Sequence, residues 1–373
     1  MSDPQTKRLP VAHAGLARTA APQYHERTST HSLMWTVTAT LVPAAAWGVY
    51  VYGFSALLVI LTAVFSAAAT ETLIVRSGET LADGSAVLTG LLLGMMMPPS
   101  IPWYVVVAAA IFSIGVVKWT FGGLGRNWMN PALAGRVFVY FSWTGPMTRW
   151  VMPRTLGVDA VAAATPLSII QSAVNHGHSL LAGPVAYLSA HDFPRSAFDA
   201  GVTGWLNTNL LQRVGAYLPP GYVDPFVGNV PGSIGEGSAL ILLLGTLLLF
   251  GRRIITWEIP TAFFIAFAGA TWAFGGYGYG TGAFSGDVLF YLVSGSVIMV
   301  MFYLATDPVT SPMTTVGMLV FGAGAGLIAF VVRAYGGAPE GAALAVLCMN
   351  ACTPLINRLT RPRRFGCRPG RTE

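Results

Sequence analysis

Residues 89–103 read TGLLLGMMMPPSIPW, and residues 294–312 read SGSVIMVMFYLATDPVTSP. Each is an apolar run cut by prolines. A second apolar run follows each, then a double glycine and a segment of small residues. Those segments are GGLGRNWMNPALAG at 122–135 and GGAPEGAALAVLCMNACTPL at 336–355. The same order twice in one chain reads as an internal repeat with interrupted helices.

Ten apolar runs frame these motifs, near 33–52, 54–75, 84–98, 101–121, 128–145, 238–251, 257–275, 286–305, 314–333 and 340–357. A helix needs about 20 apolar residues to cross the hydrocarbon layer, so the short runs 84–98 and 238–251 borrow flanking residues or break. Backbone polar groups in lipid must be satisfied internally, which favours helices. Five spans per half is an odd number, so the second half must lie inverted relative to the first. Inverted repeats with broken helices place a transport site at the repeat interface. The expected fold is an all-α integral membrane protein of about ten transmembrane helices in two inverted five-helix repeats. These are 33–145 and 238–357, with basic tails at 1–32 and 358–373 and an outer segment at 146–237.

Composition and charge agree with that reading. Of 373 residues, 54% are hydrophobic and 10% charged, against roughly 25% charged in a soluble domain. The mean hydropathy is +0.60. The net charge of +6 comes from residues in tails and loops, a membrane-topology pattern that gives no nucleic-acid patch. With the amino terminus in the cytoplasm, fifteen of the 21 Lys and Arg fall on cytoplasmic segments. Arg149, Arg154, Arg195, Arg213 and Arg333 fall on the far side, and Arg136 lies within a span. Positive-inside bias therefore expects cytoplasmic termini and an external 146–237 segment. The first 32 residues carry Lys7, Arg8, Arg18 and Arg27 without an apolar core, so no cleavable signal peptide is expected.

Several stretches bear chemistry. Asp307, in LATDPVTSP, ends a run beside Thr306, Thr310 and Ser311. A carboxylate near lipid is costly and marks an ion path; a helix-end Asp in cytoplasmic water explains the spacing equally well. Asn130–Pro131 has the form of a helix start, and Arg136 five residues on needs a partner or must snorkel. Cys348 and Cys352 share one helix face and read as buried small hydrophobes. No CxxC occurs, so a closed metal site is not indicated. His176 and His178 read as solvated loop residues or cofactor-pocket neighbours, and Asp83, Glu258 and Asp287, near span ends, as interface markers more than as an ion path. In GVDAVAAATPLSII, residues 157–170, small alanines precede Thr165 and leave its hydroxyl accessible to a modifying enzyme. Pro166 biases Thr165 toward an extended conformation.

Together, LATDPVTSPMTT, PEGAALAVLCMNACTPLI, DGSAVLTGLLLGMMMPP and NWMNPALAGRVF resemble the NqrB/RnfD family over about 33–357. These are membrane subunits of the Na⁺-translocating NADH:quinone reductase (NqrB) and of the Rnf complex (RnfD); the length resembles the RnfD type. The resemblance implies FMN held by a phosphoester bond to a threonine, in a motif of the form D-x-x-[ST]-[GA]-A-[ST]. Asp159 and Thr165 are the two ends of that motif, and Ala162 stands where Ser or Thr is usual. It further implies a non-covalent riboflavin and electron relay between ferredoxin and NAD⁺, coupled to Na⁺ or H⁺ movement. The implied partners are a periplasmic flavoprotein subunit, membrane iron–sulfur subunits and a flavin transferase, in the inner membrane. Asn130, Pro131 and Arg136 are expected near the flavin or between helices, and Asp307 on the ion path. Two alternatives remain: the NqrB-type subunit of the quinone reductase, and a cofactor-free transporter or channel.

Overall fold

The structure, a computed structural model, describes residues 29–76, 79–156, 162–178, 180–336 and 341–362. The first half opens with α1 (Thr30–Tyr52) and α2 (Phe54–Val75). One residue, Gly53, reverses the chain between them at φ 81°, a conformation that side chains resist. Then come α3 (Ser85–Met95), α4 (Trp103–Ile111, continuing as a π-helix over Phe112–Trp119) and α5 (Pro131–Ser142).

The segment between the halves holds β1 (Trp150–Val151), β2 (Ala162–Ala163), α6 (Pro166–Asn175), α7 (Pro184–Ala190), α8 (Ala197–Leu206) and α9 (Val223–Val227). β1 and β2 pair antiparallel, Trp150 opposite Ala163, a small ladder that apolar periodicity does not foreshadow.

The second half contains α10 (Ala239–Gly251), α11 (Glu258–Tyr279), α12 (Val288–Val293), α13 (Val297–Met299, continuing as a π-helix over Val300–Leu304), α14 (Thr315–Tyr335) and α15 (Gly341–Leu359). Every expected apolar run therefore carries helix. Among the described residues, five helices, α1, α2, α11, α14 and α15, are long and apolar enough to cross a membrane. The others are short or broken. The 11 residues of α3 span only about 16 Å at 1.5 Å per residue, against a core of roughly 30 Å.

In the first half α2 lies against α4 and α4 against α5; in the second α11 lies against α14 and α14 against α15. Each half also uses a pair of glycines four residues apart. A Cβ on Gly90 would lie 2.7 Å from Val64 Cα, and one on Gly94 3.0 Å from Ile60 Cα, so α3 rides on α2. On α14, a Cβ on Gly322 would lie 2.5 Å from Ile259 O, and one on Gly326 would strike Phe263 O on α11. Small residues permit such approaches where lipid offers no hydrophobic drive between helices. The outer faces carry exposed Trp103, Tyr50, Phe54, Phe141 and Trp272, as expected of aromatic residues meeting lipid and headgroups.

Cys348 and Cys352 are both exposed, not buried. On α15, Ala342, Ala345, Val346, Met349, Asn350 and Thr353 face inward, and the two thiols lie on the opposite side.

Candidate functional site

Two polar sites lie within the apolar body. The first is a cleft of about 770 Å³, counting the space at its mouth, between α1, α3 and α5 of the first half and the α10 and α13 regions of the second. Asn130 forms its floor. Its side-chain oxygen accepts from Ala132 N at 3.0 Å and Leu133 N at 3.3 Å, capping α5. Pro131 occupies the first helical position, where its missing N–H costs nothing. The Asn130 Nδ2 is then free to donate to Asp307 Oδ2 at 3.4 Å. Asp307 follows the π-turn that ends α13 and also accepts from Thr310 Oγ1 at 3.2 Å and Val309 N at 3.3 Å. Asn130, Pro131 and Asp307, which the sequence separates by more than 170 positions, thus line one wall.

Lys118 and Ser85 also line the cleft. Lys118 Nζ lies 2.6 Å from Glu71 Oε2 and donates to Ser85 Oγ at 2.6 Å; Ser85 Oγ donates to Asp83 Oδ1 at 2.6 Å. Lys118 and Glu71 are 2% and 0% exposed. Lys118, counted from sequence among cytoplasmic charges, is therefore buried in an ion pair. Asn127 Oδ1 is buried with no partner among the described residues, and it too belongs to the cleft. The cleft pairs apolar walls such as Phe302 and Leu88 with convergent amide, ammonium and carboxylate groups, the combination of small-molecule sites.

The second site lies beneath Thr165. Thr165 caps α6: its Oγ1 accepts from Ser168 N at 3.1 Å, and Pro166 opens the helix. The residue is 7% exposed. Its hydroxyl is thus engaged and covered, contrary to the accessible group expected from the flanking alanines, because Pro166 and Ser168 turn the stretch into a helix start. Thr165 lines a small pocket with Val230, Glu236, Ser294 and Gly295, about 300 Å³ counting the open space at its mouth. Residues 228–238 descend into the bundle to form that cavity's side. Ile234 N donates to Met97 O at 3.1 Å, Trp47 Nε1 to Val227 O at 2.8 Å, and Tyr52 OH to Val230 O at 2.8 Å. Glu236 accepts from Ser233 Oγ at 2.9 Å.

Farther out, Asp199 accepts from Val223 N at 2.8 Å and Asp224 N at 3.2 Å, tying α8 to α9. Burial raises the Asp199 carboxyl above its ordinary range, and those backbone bonds pull it back in part.

Arg136 is buried, lines a groove between α5 and α15 with Tyr140 and Gly341, and does not reach the cleft. Arg333, assigned from sequence to the far side at the end of the run 314–333, is wholly buried in α14. Asp159 lies outside the described residues. His176 and His178 are exposed, and no group of three metal-ligating side chains occurs among the described residues. Sequence reasoning missed Glu71, Lys118, Glu236 and Arg333 as interior groups. The available signal was charge beside or within apolar runs, clearest for Glu71 inside 54–75.

Comparison with known proteins gives the context of these sites. The chain is 39% identical over 343 residues to the D-type subunit of the proton-translocating ferredoxin:NAD(+) oxidoreductase complex of Clostridium ljungdahlii, covering 91% of this chain and 93% of the relative. It is 36% identical over 357 residues to the D-type subunit of the Na(+)-translocating ferredoxin:NAD(+) oxidoreductase complex of Acetobacterium woodii, covering 94% and 95%. The D-type subunit of the ion-translocating oxidoreductase complex of Stutzerimonas stutzeri is 35% identical, with 91% and 93% covered. Residues 17–366 match the family described as NQR2, RnfD, RnfE. The chain is a multi-pass membrane protein and belongs to the NQR2, RnfD, RnfE family.

Proposed function

We propose that this chain is the D-type membrane subunit of an ion-translocating ferredoxin:NAD⁺ oxidoreductase. Its similarity, nearly end to end, to D-type subunits carries the reading. That coverage of both chains also favours this assignment over the NqrB-type subunit of the quinone reductase. In this reading the chain sits in the inner membrane with cytoplasmic termini, the cleft toward the cytoplasm and the Thr165 segment in the periplasm.

Thr165 bears FMN through its hydroxyl, with Asp159 at the start of the attachment motif; bound there, FMN supplies electron transfer at a potential the protein tunes. The pocket at Thr165 offers the Ser294 hydroxyl and the Gly295 turn to the linking group, beside the Glu236 carboxylate. The cleft suits a second, non-covalent flavin, riboflavin. Asn127 offers an unpartnered carbonyl oxygen, Lys118 an ammonium, and Phe302 an apolar wall. Asp307, held by Asn130 and Thr310, lies beside that cleft and offers oxygen ligands to Na⁺ or a site for H⁺. Two relatives of similar identity are named for different ions, so overall similarity does not choose between them. A periplasmic flavoprotein subunit, membrane iron–sulfur subunits and a flavin transferase complete the system, and the isolated chain is not active alone.

The test uses inverted membrane vesicles carrying the whole complex. Asp307→Asn is expected to abolish ferredoxin-driven ion uptake while in-gel flavin fluorescence stays at the wild-type level. Unchanged uptake removes Asp307 from the ion path. Ferredoxin-dependent NAD⁺ reduction that survives deletion of this chain contradicts the assignment as a whole.

A further inference from the structure

Glu236 is 9% exposed, in a single helical turn (Ile234–Gly237) just before α10. Its carboxylate accepts from Ser233 Oγ at 2.9 Å, on a residue that is itself fully buried. An ionisable side chain inside a membrane protein is costly and marks a route for ions or protons. Two pockets meet at this one. The first is the pocket at Thr165, which Glu236 lines with Ser294 and Gly295. The second, about 200 Å³ counting open space, is lined by Glu236, Gly295, Ser296, Leu242 of α10 and Met299 of α13. Among the described residues, no Lys or Arg lines either pocket. The Ser294 and Ser296 hydroxyls, on residues each 1% exposed, have no hydrogen-bond partner among the described residues. Buried hydroxyls are normally paired. Two left open beside a carboxylate point to a missing ligand that oxygen atoms hold: a cation, or the water that carries it.

A hydrogen bond joins the second pocket to the cleft that holds Asp307. Tyr303 lines the cleft with Asp307, and its OH donates to Leu242 O at 3.1 Å. Thr246 Oγ1 donates to the same carbonyl at 2.8 Å. Gly245 makes room for the phenol, since a Cβ there would strike Tyr303 OH. Leu242, in the first turn of α10, lines the second pocket. One polar file thus runs from Asp307 past Tyr303 and the Leu242 carbonyl to Glu236, and out at Thr165. The π-turn Val300–Leu304 and the break at Gly295, φ 77°, both border it; π-turns often mark functional sites.

We propose that Glu236, with the Ser294 and Ser296 hydroxyls, forms a second cation stop on the path that begins at Asp307, the stop from which the ion leaves for the outer face. The proposal rests on the reading of this chain as an ion-translocating subunit with Asp307 on its path. The stop takes a small monovalent cation, Na⁺ among the oxygen atoms or H⁺ on the carboxylate. Arg333 acts electrostatically on Glu236 and weakens its hold on a cation, which suits a stop that must let its ion go.

The test uses inverted membrane vesicles carrying the whole complex. Radioactive sodium reports Na⁺ uptake, and a pH-sensitive dye reports H⁺ uptake. In-gel flavin fluorescence and a protein stain bring all samples to equal complex content. Glu236→Gln is expected to abolish ferredoxin-driven uptake, and Glu236→Asp, which keeps a carboxylate, to retain part of it. Gln copies the shape of Glu and can still accept from Ser233 Oγ, so a purely structural role gives the reverse order. Better uptake in Glu236→Gln than in Glu236→Asp, or wild-type uptake in Glu236→Gln, overturns the stop. Where Glu236→Gln does not accumulate, Glu236→Asp and Tyr303→Phe carry the comparison. Each is expected to lower uptake, and undiminished uptake in both is the contrary result. Absence of ion uptake in the wild type removes the ion-path reading and the stop together. Uptake lost in Asp307→Asn but kept in Glu236→Gln removes the stop alone.

Discussion

Lys118→Met should be among the most damaging single changes in the cleft wall. The substitution keeps most of the unbranched side chain, one atom shorter, and removes the charge. Glu71 is 0% exposed, and its Oε1 already lacks a partner among the described residues. Without Lys118, its other oxygen loses the ammonium at 2.6 Å, and Ser85 Oγ loses a donor as well. Breaking a buried pair from one side costs about 3–5 kcal/mol, because a bare charge stays behind. At roughly 2–4 °C per kcal/mol for chains of a few hundred residues, the thermal midpoint should fall on the order of 10 °C. Replacing both partners by packed apolar side chains is often neutral or better. The double variant Glu71→Leu/Lys118→Met should therefore recover most of the loss. Thermal aggregation of the solubilised protein measures all three forms. A single variant within about 2 °C of wild type, or a double variant no better than the single, refutes the buried-pair reasoning.

Other perturbations follow from the packing. A Cβ on Gly135 would strike Ser113 Oγ and lie 2.7 Å from Ala109 O, so Gly135→Ala should destabilise by about 1–3 kcal/mol. Gly269→Ala, with no atom within 4 Å of the new Cβ, should leave the midpoint unchanged or slightly higher; equal effects at the two positions would contradict the close approach of α5 to α4. Asn130→Ala removes the cap of α5 and should cost roughly 1 kcal/mol, while Asn130→Asp retains the cap. A midpoint for Asn130→Ala equal to wild type would show that the cap contributes nothing there.

Much of the architecture was legible because lipid leaves a plain signature. The run expected at 54–75 is the helix Phe54–Val75, and 238–251 is Ala239–Gly251. Gly53 and the prolines near 98 and 308 mark real breaks. Which face of each helix turns inward was not legible. In water the buried face is the apolar one, but in a bilayer both the lipid and the interior are apolar. The two thiols of α15 could therefore not be placed from spacing, and they face outward. The pairing of Glu71 with Lys118 joins residues 47 positions apart on α2 and α4, and only the packing of those helices reveals it. Thr165 was singled out only through the resemblance to a family motif. Its burial depended on residues 228–238 and on the turn at Gly295, both distant in sequence.

The most direct test of the electron-relay assignment is flavin fluorescence of this protein on a denaturing gel, after co-expression with a flavin transferase. The wild-type band should fluoresce, and the Thr165→Val band should be dark at equal protein stain. Loss of the cap of α6 lowers stability by about 1 kcal/mol, which the stain corrects for. A dark wild-type band, or a Thr165→Val band as bright as wild type, contradicts covalent FMN at Thr165.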